Sequence, residues 1–215
     1  MSTAYLALPG EQMPNGQIAT VGGAYSDGKL LNNNCRYIPN LGDVVIGVIV
    51  HKTAELYRVD IGSPTPAVLS NIAFNGATKR HKPTLALGAI VLCYVTLADS
   101  HLETELSCED KTTQRDWSSG ETLYGLLTSS SPSLLVDVAI PYSATLQSAN
   151  PSPAVQSLSR HFKFEIAIGV NGKVWVAAET RRNVQAIVKV LTQAKTLTPV
   201  QVEALARAIQ QNLDQ

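Results

Sequence analysis

The sequence predicts a mixed α+β protein built from more than one domain. Three observations point that way. From Tyr37 to Asp110 the apolar residues alternate in short runs bounded by Gly, Pro, Ser and Asn. From Thr180 to Ile209 they recur at the 3.6-residue period of a helix. A chain of 215 residues, 45% of them hydrophobic, is also long enough to bury two small cores.

The first 36 residues are rich in Gly, Asn and turn pairs ("PNG", "SDGKLLNNN"), with short apolar runs such as "AYLAL" and "QIATV", and predict a few short strands. Five β-rich runs follow: "GDVVIGVIV", "LYRVDIG", "PAVLS", "GAIVLCYVT" and "LETELSC". Five short strands within about 70 residues suggest a small closed barrel of OB type. Beyond Asp110, "ETLYGLLT" reads as a strand and "SPSLLVDVAI" as a helix capped by Ser131 with Pro132 at its first position. "SPAVQSLSR" repeats that device with Ser152 and Pro153. Two strands then surround "GVNG". Val184, Ile187, Val188 and Leu191 recur behind Thr180, and Val202, Leu205, Ala206 and Ile209 behind Thr198 and Pro199, with Gln201 placed for a capping box. The order strand, helix, helix, strand, strand, helix, with one helix appended, is that of a KH-like domain. The domains expected are a β-rich segment over 1–36, the barrel over 37–112 and the KH-like domain over 113–215. A barrel of OB type followed by a KH-like domain points to RNA.

Seventeen Lys and Arg balance seventeen Asp and Glu, so no global basic field can hold nucleic acid and any contact must be local. Cys35, Cys93 and Cys108 are odd in number and form no C-x-x-C pair, which argues against a disulfide framework or a zinc site and for a reducing compartment. The start "MSTAYLALPGEQMPNG" lacks a basic segment followed by an apolar run, and no apolar run reaches about 18 residues, so neither a leader nor a membrane span is expected.

Gly169-Val170-Asn171-Gly172 could be a glycine loop gripping a phosphate backbone or a tight turn. A working KH clamp lies between the first two helices, and that junction, "YSATLQSANPSP", has no glycine. Asn-Gly between alternating "FKFEIAI" and "KVWV" is a hairpin signal, so the motif reads as a structural turn. Trp175 on the second strand reads as a core or inter-domain anchor rather than a base platform.

The sharpest local charge is "GATKRHKP", which puts Lys79, Arg80, His81 and Lys82 in a loop between barrel strands, where OB barrels often meet nucleic acid. An anion partner and a merely solvated surface both remain open. Tyr57 and Phe74 could stack on bases or pack inside. Arg160-His161-Phe162-Lys163 and Arg181-Arg182 are smaller basic clusters. His51, His81, His101 and His161 are scattered, with no metalloprotease, hydrolase or phosphate-loop motif. Glu103 with Glu105, or Glu109 with Asp110, could in principle hold Mg²⁺, but a solvated barrel face explains them more simply. No nucleophile, base and orienting group converge, so the sequence reads as a non-enzyme without cofactor or metal.

Taken together, "YIPNLGDVVIGVI", "YRVDIG", "FNGATKR", "LETELSCED" and "FEIAIGVNGKVWV" resemble one family, the non-catalytic cap subunits of the eukaryotic RNA exosome called ribosomal RNA-processing protein 40. The likeness runs in order from Tyr37 to about Thr180, and "LALPGE" is similar to the family's opening strand. "GATKR" and Gly-x-Asn-Gly before "VWV" are together specific, since the sister cap subunits share the domain plan but not the first signature. The resemblance implies an N-terminal domain, an S1 domain of OB fold and a KH-type domain, with no nuclease activity of their own. It implies a place on a ring of RNase-PH-like subunits beside the other cap subunits. There the protein would line the entry by which RNA reaches a 3′-to-5′ exonuclease, serving rRNA processing and RNA degradation in nucleus, nucleolus and cytoplasm. In that family Gly-x-Asn-Gly is associated with packing of the KH domain on the barrel. One departure stands out: where the family often has a glycine-rich stretch after its Cys-x-Asp, this chain has Cys108-Glu109-Asp110 and "KTTQRDWSSGETLYG". The alternative reading is a free-standing S1/KH module in translation or RNA stability, which would ask for a complete KH clamp and a basic surface.

Overall fold

The structure is a computed structural model and describes residues 23–26, 29–32, 36–99, 101–110, 115–119, 122–148, 152–195 and 197–213. The runs "AYLAL" and "QIATV", the segment "LALPGE" and Cys35 lie outside them. Of the N-terminal segment, β1 (Gly23–Ser26) and β2 (Lys29–Asn32) form an antiparallel pair with Ser26 opposite Lys29.

The barrel is built from β3 (Val44–Lys52), β4 (Leu56–Asp60), β5 (Ala67–Phe74), β6 (Ile90–Leu97) and β7 (Glu105–Cys108). Their order is β3-β4-β5-β7-β6, and β6 pairs back onto β3, which closes the sheet and removes its edges. The β5–β7 pair is parallel and the others are antiparallel, as an OB fold requires. Period-two alternation sends Val45 and Ile49, Tyr57 and Val59, Ala67 and Leu69, Val91, Cys93 and Val95, and Leu106 and Cys108 into one core. At Gly47 a Cβ would collide with the Val59 side chain, so glycine lets β3 run close against β4. A 3-10 turn, Trp117–Ser119, and β8 (Gly125–Leu126) follow, and β8 hydrogen-bonds to β6.

The second core lies under β9 (Ser133–Asp137), α1 (Ile140–Ser148), α2 (Pro153–Ser159), β10 (Phe164–Ile168), β11 (Lys173–Ala178), α3 (Arg181–Ala194) and α4 (Pro199–Leu213). The sheet order is β10-β11-β9, all antiparallel. Alternation along β11 sends Val174, Val176 and Ala178 to the helices, and Trp175 and Ala177 to the opposite face, against Ile46 and Leu92 of the barrel. The sheet is thus packed on both faces. Ser152 caps α2 by accepting from Val155 N, and Thr180 caps α3 by accepting from Asn183 N. At α4 half of the capping box forms: Gln201 Oε1 accepts from Thr198 N at 3.0 Å and also from the Thr198 hydroxyl.

The element order strand, helix, helix, strand, strand, helix stands, but two assignments shift. "SPSLLVDVAI" is not a helix. Leu134 and Val136 pair across from Val176 and Val174 as strand β9, because β11 needs a second neighbour to satisfy its backbone. The first helix is α1, whose "IPYSATLQS" lacks an apolar stripe and so gave no periodic signal. Among the described residues, "ETLYGLLT" contributes β8 alone, and to the barrel sheet rather than to the KH sheet.

Candidate nucleic-acid interface

The turn Gly169-Val170-Asn171-Gly172 is inserted against the barrel. Gly169 N donates to Lys173 O and Val170 N donates to Val44 O, both at 2.9 Å. The Asn171 side-chain amide donates to Ile46 O and Ile61 O, each at 2.8 Å, and its oxygen accepts from Ile46 N at 3.2 Å. Both glycines are required sterically. At Gly169 a Cβ would stand 2.7 Å from Ile46 N, and at Gly172, where φ is +82°, it would stand 2.6 Å from Val138 O. The Ser143 hydroxyl donates to Val170 O at 3.0 Å, tying α1 to the same turn. Asn171 is 6% exposed, so its side chain serves the barrel backbone and presents nothing to a ligand. Trp175, 4% exposed, packs two strand positions beyond the turn in the barrel–KH interface. The centre of the α1–α2 junction, 149–151, lies outside the described residues.

The basic loop spans the β5–β6 connection. The Thr78 N–H donates to His81 O at 2.7 Å and the Thr78 hydroxyl accepts from His81 N at 3.1 Å, closing a tight turn that carries Lys79 and Arg80 at its tip. Both are exposed and make no hydrogen bond or ion pair among the described residues. Lys82 differs: its ammonium donates to Ala54 O at 3.1 Å, bracing the loop against the β3–β4 connection. Tyr57 and Phe74 are packing residues, each 3% exposed. The Tyr57 hydroxyl donates to Pro83 O at 2.9 Å and accepts from Leu85 N at 3.3 Å, so it anchors the loop's far limb and offers no face to a base.

His81 and Trp117 meet with ring centroids 5.0 Å apart and planes inclined by 37°. Sequence reasoning left Trp117 unplaced; a tryptophan in the polar run "KTTQRDWSSG" is the signal that could have found it. Trp117 packs partly on the barrel core, and its backbone N–H donates to Asn75 O at 3.0 Å. The Ser118 N–H and hydroxyl donate to the Asp116 carboxylate at 2.8 and 2.7 Å and hold it below the usual carboxylate range, with a smaller contribution from His81. At Gly76, φ +75°, a Cβ would collide with that carboxylate, so the loop base and the 3-10 turn are fitted to each other.

The remaining candidates are not brought together. Arg160 pairs with Glu203 at 3.2 Å, His161 Nδ1 donates to Gln210 Oε1 at 3.0 Å, Phe162 is buried and Lys163 is exposed. Arg181 and Arg182 stand exposed in the first turn of α3. Glu103 pairs with Arg58 at 2.9 Å, Glu105 and Glu109 are exposed, and Asp110 is buried. Among the described residues no cluster of His, Cys, Asp or Glu is placed to hold a metal ion, and no helix is long and apolar enough to cross a membrane. Cys93 and Cys108 are free thiols inside the barrel, where burial and the neighbouring Cys93 push the Cys108 thiol up, away from a reactive thiolate.

Residues 37–120, the barrel with its basic loop, match the family model of the S1 domain of exosome complex component RRP40, and residues 134–182 match a KH domain model. A Dictyostelium discoideum protein carrying the rrp40 name is 34% identical over 172 residues, covering 80% of this chain and 68% of that one. The chain belongs to the exosome complex component RRP40 family. Exosome complex component RRP40 of Saccharomyces cerevisiae is 36% identical over 159 residues, 74% of this chain and 63% of that protein. Its Schizosaccharomyces pombe counterpart is 41% identical over 145 residues, 67% and 57% respectively. The chain therefore spans about three fifths of the length of these two family members. A crystal structure assigned as an exosome complex RNA-binding protein shares the fold at a TM-score of 0.62 and 19% identity, over 84% of this chain and 99% of that one.

Proposed function

We propose that this chain is a non-catalytic, RNA-binding cap subunit of an RNA exosome. In this reading it helps assemble the ring of RNase-PH-like subunits with the other cap subunits. It guides single-stranded RNA toward the pore for 3′-to-5′ processing and degradation, in the nucleus, including the nucleolus, and in the cytoplasm. The observation that carries the reading is the loop tip: Lys79 and Arg80 stand exposed, without a partner among the described residues, on a barrel that the Asn171 bonds hold to the KH-like domain. Two adjacent exposed cations on such a support suit a phosphate backbone or a partner carboxylate. Zero net charge agrees with this role, because weak contacts from several subunits around one pore add through effective concentration.

The test is affinity purification of the tagged chain, wild type and Lys79→Ala/Arg80→Ala, with the co-purifying chains identified and RNA affinity followed against salt. Exosome ring subunits are expected with the wild type. If the loop touches phosphates, the double variant stays in the complex and loses about 0.7 from the log–log salt slope per contact. If it touches a neighbouring subunit, the variant is released instead. A wild-type chain that brings down no exosome subunits overturns the assignment.

A further inference from the structure

We propose that His81, backed by Trp117, is a base-stacking subsite for single-stranded RNA beside the Lys79–Arg80 tip. The inference rests on the basic-loop reading above and deepens it from phosphate contact to base contact. His81 is exposed, while Trp117 is partly buried against the barrel core. The two rings lie 5.0 Å apart with planes inclined by 37°, so the indole packs against an imidazole whose residue remains exposed to solvent. The support is itself fixed, by the Trp117 N–H bond to Asn75 O and by the Asp116–Ser118 bonds within the 3-10 turn. The Thr78–His81 turn holds the imidazole's own backbone. An aromatic ring so held loses little freedom when a base settles on it, and it stands one and two residues from the exposed Arg80 and Lys79. Aromatic faces combined with cations that track the backbone are the elements by which proteins hold single strands without reading their sequence. The Asp116 carboxylate beside Trp117 is engaged by the Ser118 N–H and hydroxyl.

The test measures binding of the folded chain, barrel and KH-like domain together, to a short oligoadenylate and to an abasic oligomer of the same length at low salt. His81→Ala and Trp117→Leu should each weaken oligoadenylate binding roughly fivefold to tenfold and leave the abasic oligomer unaffected. His81→Phe should restore the lost affinity, whereas Lys79→Ala/Arg80→Ala should weaken both ligands alike. His81 is a surface residue, so its variants remain folded and decide the matter even if Trp117→Leu disturbs the 3-10 turn. The inference is overturned if the wild type binds both oligomers equally, or if oligoadenylate is not bound at all at ~1 mM protein. It also falls if His81→Ala leaves oligoadenylate affinity unchanged while the Lys79/Arg80 variant lowers it; that outcome keeps the basic-loop reading. If neither variant alters either ligand, both readings fall.

Discussion

Asn171 shows how much one side chain can do. Its amide satisfies two barrel carbonyls and one barrel N–H, from residues 110 and 125 positions earlier in the chain. Asn171→Ala would strip partners from Ile46 N, Ile46 O and Ile61 O together, and each buried group left unpaired costs about 1–3 kcal/mol. The expected loss is on the order of 3 kcal/mol, read from urea unfolding. Asn171→Asp should be no better, because it places a carboxylate oxygen against two carbonyls; near-wild-type stability for either variant contradicts the role described. Tyr37 makes a second residue-scale prediction. Burial first, then the Asp43 carboxylate to which its hydroxyl donates a hydrogen bond at 2.8 Å, pushes its ionisation far above the ordinary 10.0. The unfolded chain then loses that proton at lower pH than the folded one does. Stability should hold up to about pH 10 and fall as pH rises beyond it, and Tyr37→Phe should flatten that limb in pH-dependent thermal melts.

At the scale of elements, α3 begins with a conflict. Arg181 and Arg182 occupy the end of the helix where the backbone dipole is positive, and the first turn holds no acidic residue. Replacing both by Glu should stabilise the protein by roughly 0.5–1 kcal/mol, seen as a raised thermal midpoint; an unchanged or lowered midpoint would mean the arginines make contacts that offset the dipole. The hairpin of β10 and β11 shows the opposite, full agreement between local and tertiary demands, since Gly172 supplies both the φ of +82° and the space beneath Val138 O. Helices α2, α3 and α4 were legible because caps and apolar stripes are local. β9 and α1 were not. Ser131-Pro132 is a good helix start by local chemistry, yet the segment's backbone is claimed by β11, and α1 is held by long-range contacts such as the Tyr142 hydroxyl donating to Leu191 O at 3.0 Å.

For the whole molecule, the barrel and the KH-like sheet share the Ile46, Leu92, Trp175 and Ala177 cluster as well as the Asn171 bonds, so the two should unfold together. A single calorimetric transition is expected for the wild type, and loosening the turn with Asn171→Ala should lower or split it. The chain alone should not shorten a 3′-labelled RNA with Mg²⁺ or phosphate present. Product formation that survives extensive purification and disappears on mutating Glu103 or Asp110 would contradict that.

The sequence by itself determined the fold class, the barrel strands, the helices α2, α3 and α4 and the position of the basic loop, because alternation, helical period, caps and charge are properties of neighbouring residues. Even the hairpin turn was readable, from Asn-Gly between two alternating runs. Only the tertiary structure decided that the Asn171 amide bonds to barrel backbone, that Tyr57 is buried and Lys82 braced, and that Trp117 comes under His81. Those outcomes depend on which distant backbone groups and rings the closed barrel brings within about 3–5 Å, and a linear pattern carries no such distances.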